Sequence, residues 1–131
     1  MEIKKIFVNF QFDSKSLKAL ELAKDLSQKY SAELVVFHEI VDVYMLKRVS
    51  NSFGMPVPLD LDQKSKESAK AKLNDIMANF HGNYKYIIDI SGRVKDTISK
   101  FLKDESPDML VLTEEYDYLS KKADCNVLIV K

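Results

Sequence analysis

Thr113, Glu114, Glu115, Tyr116 and Asp117, with Lys121, Lys122 and Cys125 close behind, put several chemically capable side chains in one short stretch. Three carboxylates so close could attract a divalent cation. Adjacent residues at a strand end point to opposite faces, however, so a solvated acidic turn is the expected reading. Lys121 and Lys122 could lower the pKa of the Cys125 thiol. No base is placed to serve it, and a buried structural thiol is expected. His38 lies among apolar residues with no second His or Cys at ligand spacing, which fits a satisfied core histidine. His81, in a turn, is expected in solvent. Gly-x-Ser-x-Gly, Gly-x-Gly-x-x-Gly and P-loop patterns are absent. No catalytic residue and no metal ligand is therefore expected.

The elements that must hold these residues follow from apolar periodicity. Ile3 to Phe10 contains the continuous run Ile6-Phe7-Val8, as in a parallel strand covered on both faces. Asp13 or Ser14 can cap a helix running to about Tyr30, with Ala19, Leu20, Ala23, Leu26 and Tyr30 on its apolar side. Glu33 to Val41 reads as the second strand. A second amphipathic helix spans about Asp62 to Phe80 through Ala69, Leu73, Ile76, Met77 and Phe80, its lysines and glutamates facing water. His81-Gly82-Asn83 is read as its stop, with a left-handed cap. Tyr84 to Ile90 is the third strand. Gly92 breaks the chain before a helix marked by Val94, Ile98, Phe101 and Leu102. Ser106-Pro107-Asp108 then leads into Met109 to Leu112, and Val127 to Val130 closes the series. Such alternation predicts an α/β fold with a doubly wound parallel sheet, in one domain over residues 1–131.

The connection from Asp42 to Leu61 is less regular. Many of its residues are apolar, yet Gly54, Pro56 and Pro58 interrupt any long element. A short helix around Val43 to Val49 and an extended segment are expected. Folding back over the core edge is the simpler role; a flap or partner-binding patch is the sharper one.

Composition narrows the classes. The chain has 131 residues, 20 Lys plus Arg against 20 Asp plus Glu, and a single cysteine. A balanced charge gives no global field for nucleic acid or a membrane surface. The single cysteine fits a reducing compartment, and no long apolar run marks a membrane span or leader. A cytoplasmic protein without nucleic-acid or membrane partners is expected.

The motifs KKIFVNF, Ser16 to Leu20 as Ser-x-x-Ala-Leu, Phe37-His38 late in the second strand, SPDMLVLT, and Cys125-Asn126-Val127-Leu128-Ile129-Val130 occur in that order. In order and spacing the set resembles the universal stress protein family over nearly the whole chain. The resemblance implies a five-stranded sheet of order 3-2-1-4-5 flanked by helices, a Rossmann-like architecture of the adenine-nucleotide alpha-hydrolase type. It also implies homodimers in which the last strands of two subunits pair. Edge physics agrees, because Val127, Leu128, Ile129 and Val130 would otherwise leave an apolar edge unpaired, and a two-fold dimer removes it.

Members that bind ATP resemble one another in an acidic turn after the first strand and a Gly-x-x-Gly turn with a Gly-Ser or Gly-Thr after the fourth. Here the acidic position falls on Gln11. Leu112 is followed by Thr113-Glu114-Glu115-Tyr116, and no glycine occurs after Gly92. Those glycines let backbone N–H groups approach phosphate, presenting a helix N-terminus to the anion. Carboxylates instead repel it, by about 1 kcal/mol per charge pair at 4 Å in water and roughly 4 kcal/mol in a semi-buried site. The ATP site is expected to be degenerate, with no cofactor.

A crevice is still expected where the strand order reverses, bounded by Asn9, Gln11, Phe12, Asp13, Thr113 and Glu114, with Val41 and Asp42 as one wall. Phe12 and Tyr116 filling the emptied pocket is the favoured reading. The alternative is a small ligand with an amine or a base, or adenine-nucleotide binding with slow ATPase activity, as the resemblance implies for some members. A receiver-type signalling domain shares the strand alternation. It lacks its chemistry here, with Asn9-Phe10-Gln11 and Ser91-Gly92 where acidic residues are wanted. The expected function is that of a non-enzymatic, dimeric stress-response protein acting through an unknown protein partner.

Overall fold

The computed structural model describes residues 2–90 and 94–131. Gly92, the expected break after the third strand, lies outside them. The elements are β1 (Lys5–Asn9), α1 (Ser14–Tyr30), β2 (Glu33–Ile40), α2 (Asp42–Ser52), α3 (Leu61–Ile76), β3 (Tyr84–Ile90), α4 (Val94–Glu105), β4 (Met109–Thr113), a 3-10 segment (Glu114–Lys122) and β5 (Asn126–Val130). The five strands form one parallel sheet of order β3-β2-β1-β4-β5, as expected.

Strand alternation divides the core into two layers. Ile6 and Val8 of β1, with Phe10 just beyond it, join Leu34 and Val36 of β2 under Ala19, Leu20 and Ala23 of α1 and Leu73 of α3. Phe7, Val35, Phe37, Leu110 and Leu112 point the other way, against Ile98 and Leu102 of α4 and Leu119 of the 3-10 segment. Covering both faces is why the central strands read as unbroken apolar runs.

Local chemistry sets the helix ends. Asp13 caps α1: its Oδ1 accepts the Ser16 N–H at 2.7 Å, and Ser16 Oγ accepts the Asp13 N–H at 3.3 Å. This is a reciprocal capping box with serine in the usual Glu or Gln position. The chain leaves α1 through Ser31 at φ 52°, and α4 through Ser106 at φ 47°. Tyr30, assigned to the apolar side of α1, is half exposed at the helix end.

Three local expectations need correcting. Gly82 does not adopt a left-handed cap; α3 ends at Ile76, capped by Met77, and three residues of turn, Met77 to Asn79, carry the chain to Phe80. The space at Gly82 is taken by the Phe80 ring, which would lie 2.8 Å from an added Cβ. The third strand is thus entered through a close contact, without a left-handed turn. The irregular connection holds a fuller helix than expected, α2 over Asp42–Ser52, and its left-handed residue is Gly54 at φ 66°. The link between β4 and β5, expected as an acidic turn, is a 3-10 segment over Glu114–Lys122 kinked at Tyr116, with Leu119 buried.

Candidate functional site

At the carboxyl ends of the strands, the expected crevice residues divide into two groups. Gln11, Phe12 and Val41 line a cavity of about 500 Å³ together with His38, Glu39, Ile40, Asp42 and Val43. Its far wall is α3, through Lys64, Ser65, Ser68, Ala69 and Lys72. This cavity lies among the β1–α1 turn, the end of β2 and α3. Asn9 and Thr113 are buried. The Asn9 Oδ1 accepts a bond from Gln11 Nε2 at 2.7 Å, while Asn9 Nδ2 and Thr113 Oγ1 make no hydrogen bond among the described residues. Asp13 is committed to the α1 cap, and Glu114 is exposed at the start of the 3-10 segment.

Backbone geometry explains Phe12. It sits at φ 61°, a left-handed conformation that costs an L-residue of this size on the order of 1–2 kcal/mol. The turn throws its ring 4.8 Å from the Phe10 ring and 4.6 Å from the His38 ring. His38 Nδ1 lies 2.9 Å from the Phe10 carbonyl oxygen. A carbonyl only accepts, so Nδ1 carries the proton and Nε2 of the neutral ring is left as an acceptor. Burial holds the imidazole below its ordinary range, Lys72 adding to the effect, against the opposing pull of the Phe10 bond and Asp42. His38 is thus satisfied, as expected, but it is also a cavity wall.

The opposite side of the strand ends carries the 3-10 segment that follows β4. Tyr116 is half-buried; burial first, then Glu115, Tyr118, Asp13 and Glu39, push its hydroxyl up. Leu119 is fully buried behind it, fastening the 3-10 segment onto the core. Glu114, Glu115 and Asp117 occupy the first turn, and Lys121 and Lys122 are exposed at its far end. A backbone committed to this segment is not a glycine-lined phosphate cradle. Cys125 is half-buried, and burial with the nearby Asp108 and Asp124 pushes its thiol up, so the lysines do not make it a thiolate. Among the described residues, no group of three His, Cys, Asp or Glu is placed to hold a metal ion, and no helix is long and apolar enough to cross a membrane.

The α3 contribution to the cavity was missed by sequence reasoning. Its helical period gives Lys64, Ser68 and Lys72 a common polar face, but that pattern is the same for residues facing open water. The second conspicuous surface is α2 and the segment after it. Tyr44, Met45, Leu46, Val49, Phe53, Met55 and Leu59 are exposed, Phe53 at 76% and Met55 at 60%. Only Val43 and Ser50 of α2 are buried.

Comparison with known proteins agrees with this architecture. The model of the universal stress protein family matches residues 2–115. A universal stress protein of Aquifex aeolicus (strain VF5) is 27% identical over 99 residues, covering 72% of this chain and 71% of the relative. The solved universal stress protein UspA of Lactobacillus plantarum superimposes with a TM-score of 0.75 at 20% identity, over 100% of this chain and 99% of that one. A universal stress protein of Archaeoglobus fulgidus, solved in complex with dAMP, aligns with a TM-score of 0.66 at 14% identity, over 100% of both chains.

Proposed function

This chain belongs to the universal stress protein family, and we propose that within it the protein is a non-enzymatic dimer that acts by binding a protein partner and holds no ATP. The observation that carries the partner reading is the placement of exposed apolar side chains. Of eleven large exposed apolar residues among the described ones, eight fall between Val41 and Leu59. A contiguous segment of this kind is unusual on a surface with no partner. Support for the loss of ATP comes from the β4–β5 link, which is a packed 3-10 segment with an acidic first turn. Dimerisation through Val127 to Val130 of β5 is the family's arrangement by resemblance, and β5 stands at the sheet edge with its middle residues half-buried.

The test is made on protein purified from cells. Its mass in solution and its melting temperature with millimolar ATP and magnesium are measured, and bound nucleotide is extracted. A dimer without nucleotide, its melting temperature unmoved, is the expected result. Co-purified ATP, or a rise of more than about 2 °C with ATP, overturns the proposal.

A second reading is favoured by the cavity at Phe12, His38 and Val41, which is large enough for a small organic ligand. The Archaeoglobus fulgidus relative in complex with dAMP shows a family fold holding a nucleotide with one phosphate. Under this reading the chain is a small-ligand or adenine-nucleotide binder, with slow ATPase activity the less favoured extension.

A further inference from the structure

The cavity has a polar wall with a sign. Lys64, Ser65, Ser68 and Lys72 line it from one side of α3, and residues four apart on a helix share a face. Lys64 is already engaged by Asp60 at 3.1 Å. Lys72 has no carboxylate within ion-pair distance among the described residues; its ammonium sits 5.8 Å from the centre of the Phe12 ring. Phe12, Val41 and Val43 form the apolar side, and His38 Nε2 is an acceptor with its tautomer set by Phe10. Asp42 and Glu39 also line the cavity, so a chain of several phosphates meets carboxylates, whereas a single anionic group can stay at the α3 wall. The left-handed Phe12 is the backbone strain of the site, and such strain is characteristic of ligand clamps.

We propose that this cavity binds a small molecule bearing one ring and one oxyanion group, a phosphate monoester or a carboxylate. Lys72 and Ser68 hold the oxyanion, and the ring lies along Phe12, Val41 and Val43. Lys64 supplies longer-range attraction, and His38 Nε2 accepts a hydrogen bond from a donor on the ligand. The proposal rests on the small-ligand reading and adds to it the location of the anion: α3 rather than the link after β4. An ammonium over an aromatic ring beside a serine hydroxyl can take an oxyanion without any glycine-lined loop.

The probes are phenyl phosphate, benzoate and phenol, titrated into ¹⁵N-labelled protein with amide shifts followed by NMR. Both anions are expected to saturate, with shifts centred on Phe12, Val43, Ser68 and Ala69, and phenol to bind at least roughly tenfold more weakly. Preference for phenyl phosphate over benzoate identifies the phosphate source, and the reverse the carboxylate. Lys72→Gln, at an exposed position that leaves the spectrum of the free protein in place, is expected to weaken both anions roughly tenfold, and Lys64→Gln less. Equal binding of phenol and the anions, or no effect of Lys72→Gln, overturns the proposal. Failure of both anions to saturate overturns it as well. Saturable shifts gathered on Thr113 to Tyr116 overturn this site while leaving the small-ligand reading standing.

Discussion

Asp108 and Lys5, 103 positions apart, are joined through backbone and side chain at once: the Asp108 N–H donates to the Lys5 carbonyl at 2.9 Å, and Asp108 Oδ2 accepts the Lys5 N–H at 3.0 Å. The same oxygen accepts the Lys4 N–H at 2.8 Å. One carboxylate thereby ties the start of β1 to the start of β4, the pairing that sets the centre of the sheet. Asp108→Ala is expected to cost about 1–2 kcal/mol, read as a lower urea midpoint with unchanged slope. An unchanged midpoint would show that water replaces the carboxylate without loss.

Glu105, at the end of α4, ties β1 and β3 to that helix. Its Oε1 lies 2.7 Å from Lys85 Nζ and 3.2 Å from Lys5 Nζ. Burial pushes its carboxyl up, but the bonds from Lys85 and Lys5 outweigh this and hold it below the usual carboxylate range. With its pKa depressed in the folded state, Glu105 contributes stability above its unfolded value of 4.5, lost as pH falls through the folded one. Glu105→Gln should lower the urea midpoint at neutral pH, and the gap to the wild type should close in acid. A gap that persists unchanged in acid would assign the effect to packing.

His38 carries the opposite ionisation. Its imidazole is held below the ordinary value of 6.5 because burial disfavours the cation. The unfolded chain therefore binds the extra proton first, so stability is full above 6.5 and declines as pH falls through that value toward the folded pKa. Between about pH 7.5 and pH 5.5 the wild type should lose more stability than His38→Gln, which cannot titrate. Identical pH profiles would refute it. A ligand bound at Nε2 should shift the profile further toward acid.

The edge strand makes an oligomeric prediction. Sedimentation equilibrium at micromolar concentration should return twice the chain mass. Leu128→Lys and Val127→Lys, which pack against opposite core layers, are each compared with the wild type by circular dichroism as well as by mass, so that loss of fold and loss of dimer are read separately. A monomeric wild type removes β5 pairing.

Gly54, after α2, has φ 66° and nothing within 4 Å of an added Cβ. Gly54→Ala therefore meets no clash, and its cost is the left-handed backbone alone, about 1 kcal/mol. A loss several times larger would mean that the segment after α2 is packed, contrary to its exposure.

Sequence alone determined the sheet and its helices for a definite reason. Runs such as Ile6-Phe7-Val8 and Leu110-Val111-Leu112 are apolar on both strand faces, and only a sheet covered on both sides buries them all. The family match and strand order agree with that reading. The absence of glycine after Gly92 was equally legible, because it is a property of composition. What tertiary structure decided was position at the rim. Asn9 and Thr113 fall at strand ends in the sequence, yet packing around the strand ends buries both. Lys64 and Lys72 belong to a helix face that amphipathicity marks only as polar. The crossing of α3 past the end of β2 turns that face into the wall of a cavity, and it arises from contacts between residues distant in the chain, which periodicity does not record.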